Sequence, residues 1–233
     1  SNFLKIIFQV DFAHSRLGAN KLQRMGPIQN LGGSATSWTH YVISTEEEDP
    51  RSAFPVDIDG DGDMDILTAS SGGNGTIALY ESDGAGTWTR NVITSAADGA
   101  RSVIALDLNG DGMLDIVYAS QNDNTIAWYE NLPSIAPTIS ALPTVTPLPS
   151  PAPSLPTPAI GGLWSKRTIT TEAEGAYALF GIDLDGDGDS DVVSASYGDD
   201  TIAWYENDGV GSMTQHLIWS SASDASSVFA IDL

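Results

Sequence analysis

The sequence predicts an all-β fold: a β-propeller, present in part, built of four-stranded antiparallel blades. Three observations carry that expectation. An acidic stretch of nine residues occurs three times, as DIDGDGDMD at Asp57–Asp65, DLNGDGMLD at Asp107–Asp115 and DLDGDGDSD at Asp183–Asp191. The segments around these stretches recur with a period of about fifty residues, in the range of propeller arrays. Each unit divides into four short runs rich in β-branched and aromatic residues, separated by Gly, Asn, Asp or Ser.

Taken in order, residues 1–33 form a lead segment of undefined role. They hold four of the nine basic residues and a single acid, Asp11. The apolar run FLKIIFQV is broken by Lys5 and lacks a small-residue cleavage site, so it is weak as a signal peptide. Residues 34–131 carry two blades. WTHYVIST, from Trp38, aligns with WTRNVITS, WSKRTITT and MTQHLIWS as fourth strands, and TIALYES with two copies of TIAWYEN as third strands. In the second unit SVIALDL enters the acidic loop, DIVYAS leaves it, and TIAWYEN and WSKRTIT complete the blade. QNDN at 121–124 and YGDD at 197–200 supply hairpin turns. In TIAWYEN the two-residue period puts Ile126 and Trp128 on one face and Ala127 and Tyr129 on the other. A sheet apolar on both faces needs a neighbour on each, which radial stacking of blades supplies. Trp128, Trp204 and Leu79 share one repeat position and are assigned to packing between blades.

Residues 132–163 interrupt the array. They hold nine of the twelve prolines among Ser, Thr and Ala, and predict an extended, solvated insert between the third and fourth strands of the second blade. The tract has the composition of an O-glycosylated stalk, and Asn74-Gly75-Thr76 is an N-glycosylation sequon. Residues 164–233 carry the third blade and, from the final segment SVFAIDL, the first strand of a fourth. Three loops are fewer than the four to eight blades of a closed propeller. The expectation is a fragment of a longer protein, or an open arc whose exposed edges pair with another chain.

The loops carry the chemistry. Carboxylates at alternate positions of one tight turn repel each other by about 1 kcal/mol per pair at 4 Å in water, and more at a protein surface. A cation should answer that charge. Side-chain oxygens at positions one, three, five and nine, a main-chain carbonyl at seven, and glycines that permit the turn make an oxygen cage suited to calcium. The predicted ligands are Asp57, Asp59, Asp61, Asp63 through its carbonyl, and Asp65; then Asp107, Asn109, Asp111, Met113 through its carbonyl, and Asp115; then Asp183, Asp185, Asp187, Asp189 through its carbonyl, and Asp191. Comparison of the copies supports this assignment, since position seven tolerates Met113 while position nine is always Asp. An EF-hand is excluded. It needs Glu at position twelve and flanking helices, whereas Thr68, Tyr118 and Ser194 stand there between strand-like runs.

Composition narrows the partners. The net charge of -22 argues against nucleic acid, whose phosphates need clustered Lys and Arg. Thirteen of the 31 acidic residues lie in the three loops, so much of the acidity is local. There is no cysteine, hence no disulfide or thiolate metal site, and no apolar run reaches the length of a membrane span.

These residues resemble the FG-GAP/VCBS repeats, whose calcium-loop blades build seven-bladed propellers, including the head of integrin α chains. The resemblance covers 38–131 and 164–233, and the three loops are its specific part. It implies about three bound calcium ions at the positions named above. Phe180-Gly181 matches the first half of the family's name, while Ala69-Ser70, Ala119-Ser120 and Ala195-Ser196 replace the Gly-Ala-Pro half. The chain is thereby closer to microbial or algal VCBS-type repeats than to integrins.

Little else in the sequence resembles catalytic machinery. His14, His40 and His216 do not repeat and lack convergent partners, and no GxSxG, HExxH or phosphate-cradling loop occurs. The expected function is a non-enzymatic, extracellular calcium-binding module for adhesion or for recognition of a protein or glycan. Two other readings are a carbohydrate-binding propeller and a scaffold for a secreted enzyme whose catalytic region lies outside this chain.

Overall fold

The computed structural model of the chain describes residues 6–11, 24–30, 38–40, 42–133 and 163–231. All regular structure among them is β. A three-stranded antiparallel sheet comprises β1 (Ile6–Asp11), β2 (Arg24–Asn30) and β3 (Trp38–His40) in that order. Strands drawn from the lead segment thus share a sheet with the Trp38 strand. Three four-stranded antiparallel sheets follow, each with its strands in sequence order. The first is β4 (Pro50–Val56), β5 (Asp65–Ser70), β6 (Thr76–Ser82) and β7 (Trp88–Thr94); the second is β8 (Ala100–Leu106), β9 (Asp115–Ser120), β10 (Thr125–Leu132) and β11 (Leu163–Thr170). The third is β12 (Ala176–Ile182), β13 (Asp191–Ser196), β14 (Thr201–Asn207) and β15 (Met213–Trp219). The first strands neighbour one another, β8 lying between β4 and β12, and β1 lying beside β4. This is blade order, in an arc that does not close.

The two-faced pattern explains the stacking. Ala127 and Tyr129 enter a core with Leu67, Leu79 and Ile77 of the preceding sheet. Their neighbours Ile126 and Trp128 enter a second core with Leu179, Val192 and Tyr205 of the following one. Trp128 is 1% exposed. Full burial of a side chain this large contributes on the order of 2–3 kcal/mol. Leu79 is likewise buried between sheets, whereas Trp204 stacks on His216 with ring centroids 4.6 Å apart.

Turns repeat as faithfully as strands. Between sheets, the residue before each first strand has a left-handed backbone: Asp49 (φ 54), Gly99 (φ 70), Gly175 (φ 67) and, ahead of the final segment, Asp224 (φ 57). Within sheets, Gly75 (φ 74), Asn124 (φ 57) and Asp200 (φ 58) close the second hairpin. Only Gly, Asn and Asp adopt this conformation at low cost, which accounts for the residue types found there.

The Pro-rich insert, 134–162, lies outside the described residues; Leu132 and Leu163 at its borders are paired in register across β10 and β11. The final segment departs from expectation. Residues 225–231 form no strand, because a strand exists only when hydrogen-bonded to another, and no partner strand for them occurs among the described residues. Phe229 still packs edge-on against Phe180 of β12, centroids 4.8 Å apart, next to the innermost strand.

Gly75 tests the turn argument. Its φ of 74° is left-handed, and a methyl group there would overlap the carbonyl of Ala97 in the adjoining turn. Gly75→Ala should lower stability by about 2 kcal/mol or more in denaturant unfolding, whereas Gly86→Ala, at φ 100° with open space around it, should cost only the conformational term of about 1–2 kcal/mol.

Candidate metal centre

Each acidic loop joins the first strand of a sheet to the second: Asp57–Asp65 joins β4 to β5, Asp107–Asp115 joins β8 to β9, and Asp183–Asp191 joins β12 to β13. All three fold alike. The first carboxylate accepts two backbone N–H groups, from the glycines at positions four and six: Gly60 and Gly62 onto Asp57 at 2.8 and 3.0 Å, Gly110 and Gly112 onto Asp107 at 2.8 and 2.8 Å, Gly186 and Gly188 onto Asp183 at 2.7 and 3.1 Å. The oxygen at position three accepts from the amide of position five, at 3.1 Å in every copy. Position five accepts from position seven at 2.8, 2.8 and 2.9 Å. Such bonds orient each side chain inward and leave oxygen lone pairs over for a cation.

Position nine differs in kind. Asp65, Asp115 and Asp191 are 1%, 0% and 1% exposed. One carboxylate oxygen of each accepts the amide of position two, from Ile58, Leu108 or Leu184. The other accepts the amide at the end of the third strand, from Ser82, Asn131 or Asn207, at 2.8–2.9 Å. The residue predicted as a ligand is therefore also the clasp that ties the loop to the middle of its sheet. Position seven varies in its surroundings: Asp63 and Asp189 stand beside Gly84 and Gly209 of the third hairpin, and Met113 is half-buried. Position twelve, Thr68, Tyr118 or Ser194, is buried in a strand and is not available as a ligand.

The donor set fits a hard cation. Carboxylate oxygens of Asp57, Asp59 and Asp61 lie within 4.8 Å of one another, and those of Asp183, Asp185 and Asp187 do the same. The middle loop has the same backbone bonds with Asn109 in place of the third-position Asp. Electrostatics point the same way. Asp59 is held above the usual carboxylate range by desolvation and by Asp61 and Asp57, and Asp185 and Asp189 are raised in the same manner. Burial pushes Asp115 up to about 6, against the lowering effect of its two amide donors.

A glutamate not anticipated from the sequence flanks every loop. Glu81, Glu130 and Glu206 end the third strands, and one oxygen of each is held by an equivalent residue of the fourth: Asn91 at 2.7 Å, Arg167 at 2.8 Å and His216 at 2.5 Å. The other oxygen is turned toward the loop in the copies where it is defined. In Glu130 it accepts from the Asn109 amide at 3.2 Å, and in Glu81 it is buried without a protein donor, with Asp65 and Asp59 raising the carboxyl's affinity for its proton. His216, isolated in the sequence, thus anchors Glu206. The YE pair recurring in all three third strands was the available signal. Of the other histidines, His14 lies outside the described residues and His40 belongs to β3.

The pH dependence of the middle loop follows. A carboxyl whose folded pKa is raised from 3.8 to about 6 favours the proton in the metal-free fold; that contribution is full below about pH 4 and lost as pH rises through 6. A cation requires the ionised form. Calorimetry of calcium addition at pH 5.5, in buffers of different ionisation enthalpy, should show more proton release in the parent chain than in Asp115→Asn, with the difference shrinking by pH 7.5. Release that is unchanged with pH, or unchanged in Asp115→Asn, would contradict this.

Comparison with known proteins agrees with this geometry. Residues 57–118 and 183–233 match the model of the FG-GAP-like repeat, each match opening on the first aspartate of an acidic loop. No curated protein matches the chain. The crystal structure of the V. cholerae biofilm matrix protein Bap1 aligns with 96% of this chain at 17% identity and a TM-score of 0.42. The chain spans 37% of that protein's length. No helix among the described residues is long and apolar enough to cross a membrane. By the family match and the loops they carry, residues 57–118 and 183–233 are FG-GAP-like repeats.

Proposed function

We propose that the chain is a non-enzymatic, calcium-stabilised blade module that works outside the cell in adhesion or ligand recognition. The observation that carries this reading is the threefold recurrence of one hydrogen-bonded loop, whose carboxylates converge in the first and third copies. Calcium bound there would offset part of each loop's charge and lock the turn between first and second strands, so that its binding energy adds to folding. Extracellular calcium modules bind at about 10⁻⁴ to 10⁻³ M, which suits the exterior of a cell. Magnesium is a poorer fit, since it demands a tighter octahedron and keeps its waters.

The test is thermal unfolding of the chain with calcium, with magnesium and with chelator. For a dissociation constant near 10⁻⁴ M, 10 mM calcium should add about 2.7 kcal/mol per occupied loop. Magnesium at the same concentration should add far less. An unfolding curve indifferent to calcium, from a sample that circular dichroism shows to be folded, would reduce the loops to turns. The middle loop, with three carboxylates against five in each of the others, should bind most weakly. Titrations of Asp57→Ala, Asp107→Ala and Asp183→Ala would check this, and loss of an equally tight site in all three would refute the ranking.

A further inference from the structure

The ends of the blades remote from the acidic loops carry a second repeated device. The pairing of the first and second strands slips by one residue at the same place in each sheet, between Pro50 and Ser52, between Ala100 and Ser102, and between Ala176 and Ala178. The residues at the three slips are Arg51, Arg101 and Tyr177. A bulge frees its residue from the ladder and re-aims the side chain. Each side chain reaches the residue that follows the second strand of its own sheet: Arg51 Nε donates to Ser71 Oγ at 3.0 Å, Arg101 Nε donates to Gln121 Oε1 at 2.6 Å, and Tyr177 stands against Tyr197 with ring centroids 6.2 Å apart. The strands bearing them are adjacent, and the row is continuous. The Arg101 guanidinium lies over the Tyr177 ring at 5.0 Å, and the Arg51 charge is near enough to disfavour the Arg101 charge.

Within this row Arg101 stands out. Arg51 is paired with Asp49, Arg90 with Glu47 and Arg167 with Glu130. Among the described residues, no carboxylate lies within ion-pair distance of Arg101; Asp49 acts on it only from farther away. Among the described residues its Nη groups have no protein acceptor, and the side chain is half-buried. Nε is fixed by Gln121 and one face by Tyr177, which leaves the Nη edge presented as a fork. In a chain of net charge -22, an arginine held rigid without a counter-ion is a departure from what the composition favours. Beside it, Tyr197 is 44% exposed, with Asp224 and Asp200 acting on its hydroxyl.

We propose that Arg101, with Arg51 behind it and Tyr177 and Tyr197 beside it, forms a binding site for a carboxylated saccharide at the end of the blades opposite the calcium loops. The sugar carboxylate takes the guanidinium fork in a bidentate pair. The exposed Tyr197 ring covers an apolar sugar face, and Asp200 and Asp224 beside it accept from its hydroxyls. The exposed tyrosine ring beside the one unpaired cation favours a uronate, whose pyranose face the ring can cover, over an acidic peptide. The site specifies the ligand class within the recognition reading above and rests on that reading.

The experiment is calorimetric titration of the full calcium-loaded chain with three probes: a hyaluronan hexasaccharide, the same oligosaccharide with its carboxylates reduced to alcohols, and a hexaglutamate peptide. The hyaluronan oligomer should bind, and the reduced form should bind at least tenfold more weakly. Arg101→Gln should weaken hyaluronan binding at least tenfold, and Arg101→Lys, which keeps the charge and loses the fork, by a smaller factor. Calcium-dependent melting of every variant is measured in parallel, so loss of the fold, or of the calcium effect itself, is read separately from loss of this site. Should Arg101→Gln not melt like the parent, Arg101→Lys and Tyr197→Ala decide the matter. Absence of hyaluronan binding, equal binding of the reduced form, unchanged affinity in folded Arg101 variants, or tighter binding of hexaglutamate would each overturn the proposal.

Discussion

One buried carboxylate per blade holds the architecture together. Asp65, Asp115 and Asp191 each accept an amide from the start of the acidic loop and another from the end of the third strand. Those two segments are far apart in sequence, and without the clasp the loop would be a flexible acidic tip. Charge-assisted hydrogen bonds of this kind are worth roughly twice neutral ones, yet a buried charge without a cation is costly. Structure and charge are thus coupled: the same carboxylate that fixes the loop is buried at the cost of its own ionisation. Asp115, the most completely buried, shows that tension in its raised proton affinity.

From the clasp outward, position two of the loop links one blade to the next. Ile58 and Leu108 are buried in the cores they share with the following sheet. Asn207, at the end of β14, reaches back to donate to the Leu108 carbonyl at 2.9 Å and to that of Ser190 at 3.0 Å. A loop made rigid by a cation therefore also sets the seating of the next blade. Leu184, the third copy, is 40% exposed, as are Leu217, Ile218 and Trp219 on β15 beyond that proportion. Gly181 of the Phe-Gly pair belongs to the same seam, since a methyl group there would run into Leu106 of the neighbouring first strand. Loop, clasp and inter-sheet packing are thus contiguous along the arc.

The readable and unreadable parts of this molecule divide along a physical line. Whatever depends on residue type at fixed local spacing was legible: the repeated acidic turns, the four strands per unit, the two-faced third strand with Ala127 and Trp128 pointing to different cores. Features that depend on register between strands were not. Glu81, Glu130 and Glu206 become part of the loop surroundings only because the third strand ends beside it, and no local pattern reports that pairing. The slips at Arg51, Arg101 and Tyr177 are invisible for the same reason, since a bulge does not alter composition. The final segment SVFAI reads as a strand by composition and is not one, because a ladder needs a partner that local sequence does not provide.

The separation of the two ends of the blades has a functional logic. The first strand runs from its bulged residue to its acidic loop in six residues, about 20 Å of extended chain. A dense negative field at one end is screened within about 8 Å at physiological ionic strength, so an anion approaching Arg101 at the other end is not repelled by the loops. The distance also frees each end to vary. The loop end must keep its clasp and its amide acceptors in every copy, because they hold the turn, and the three loops accordingly share one set of backbone bonds. The bulged end has no such obligation: it carries Arg, Arg and Tyr at equivalent places, with Ser, Gln and Tyr opposite them. Repetition where stability is made, and variation where side chains meet solvent, is the division expected of a scaffold that holds one recognition surface still.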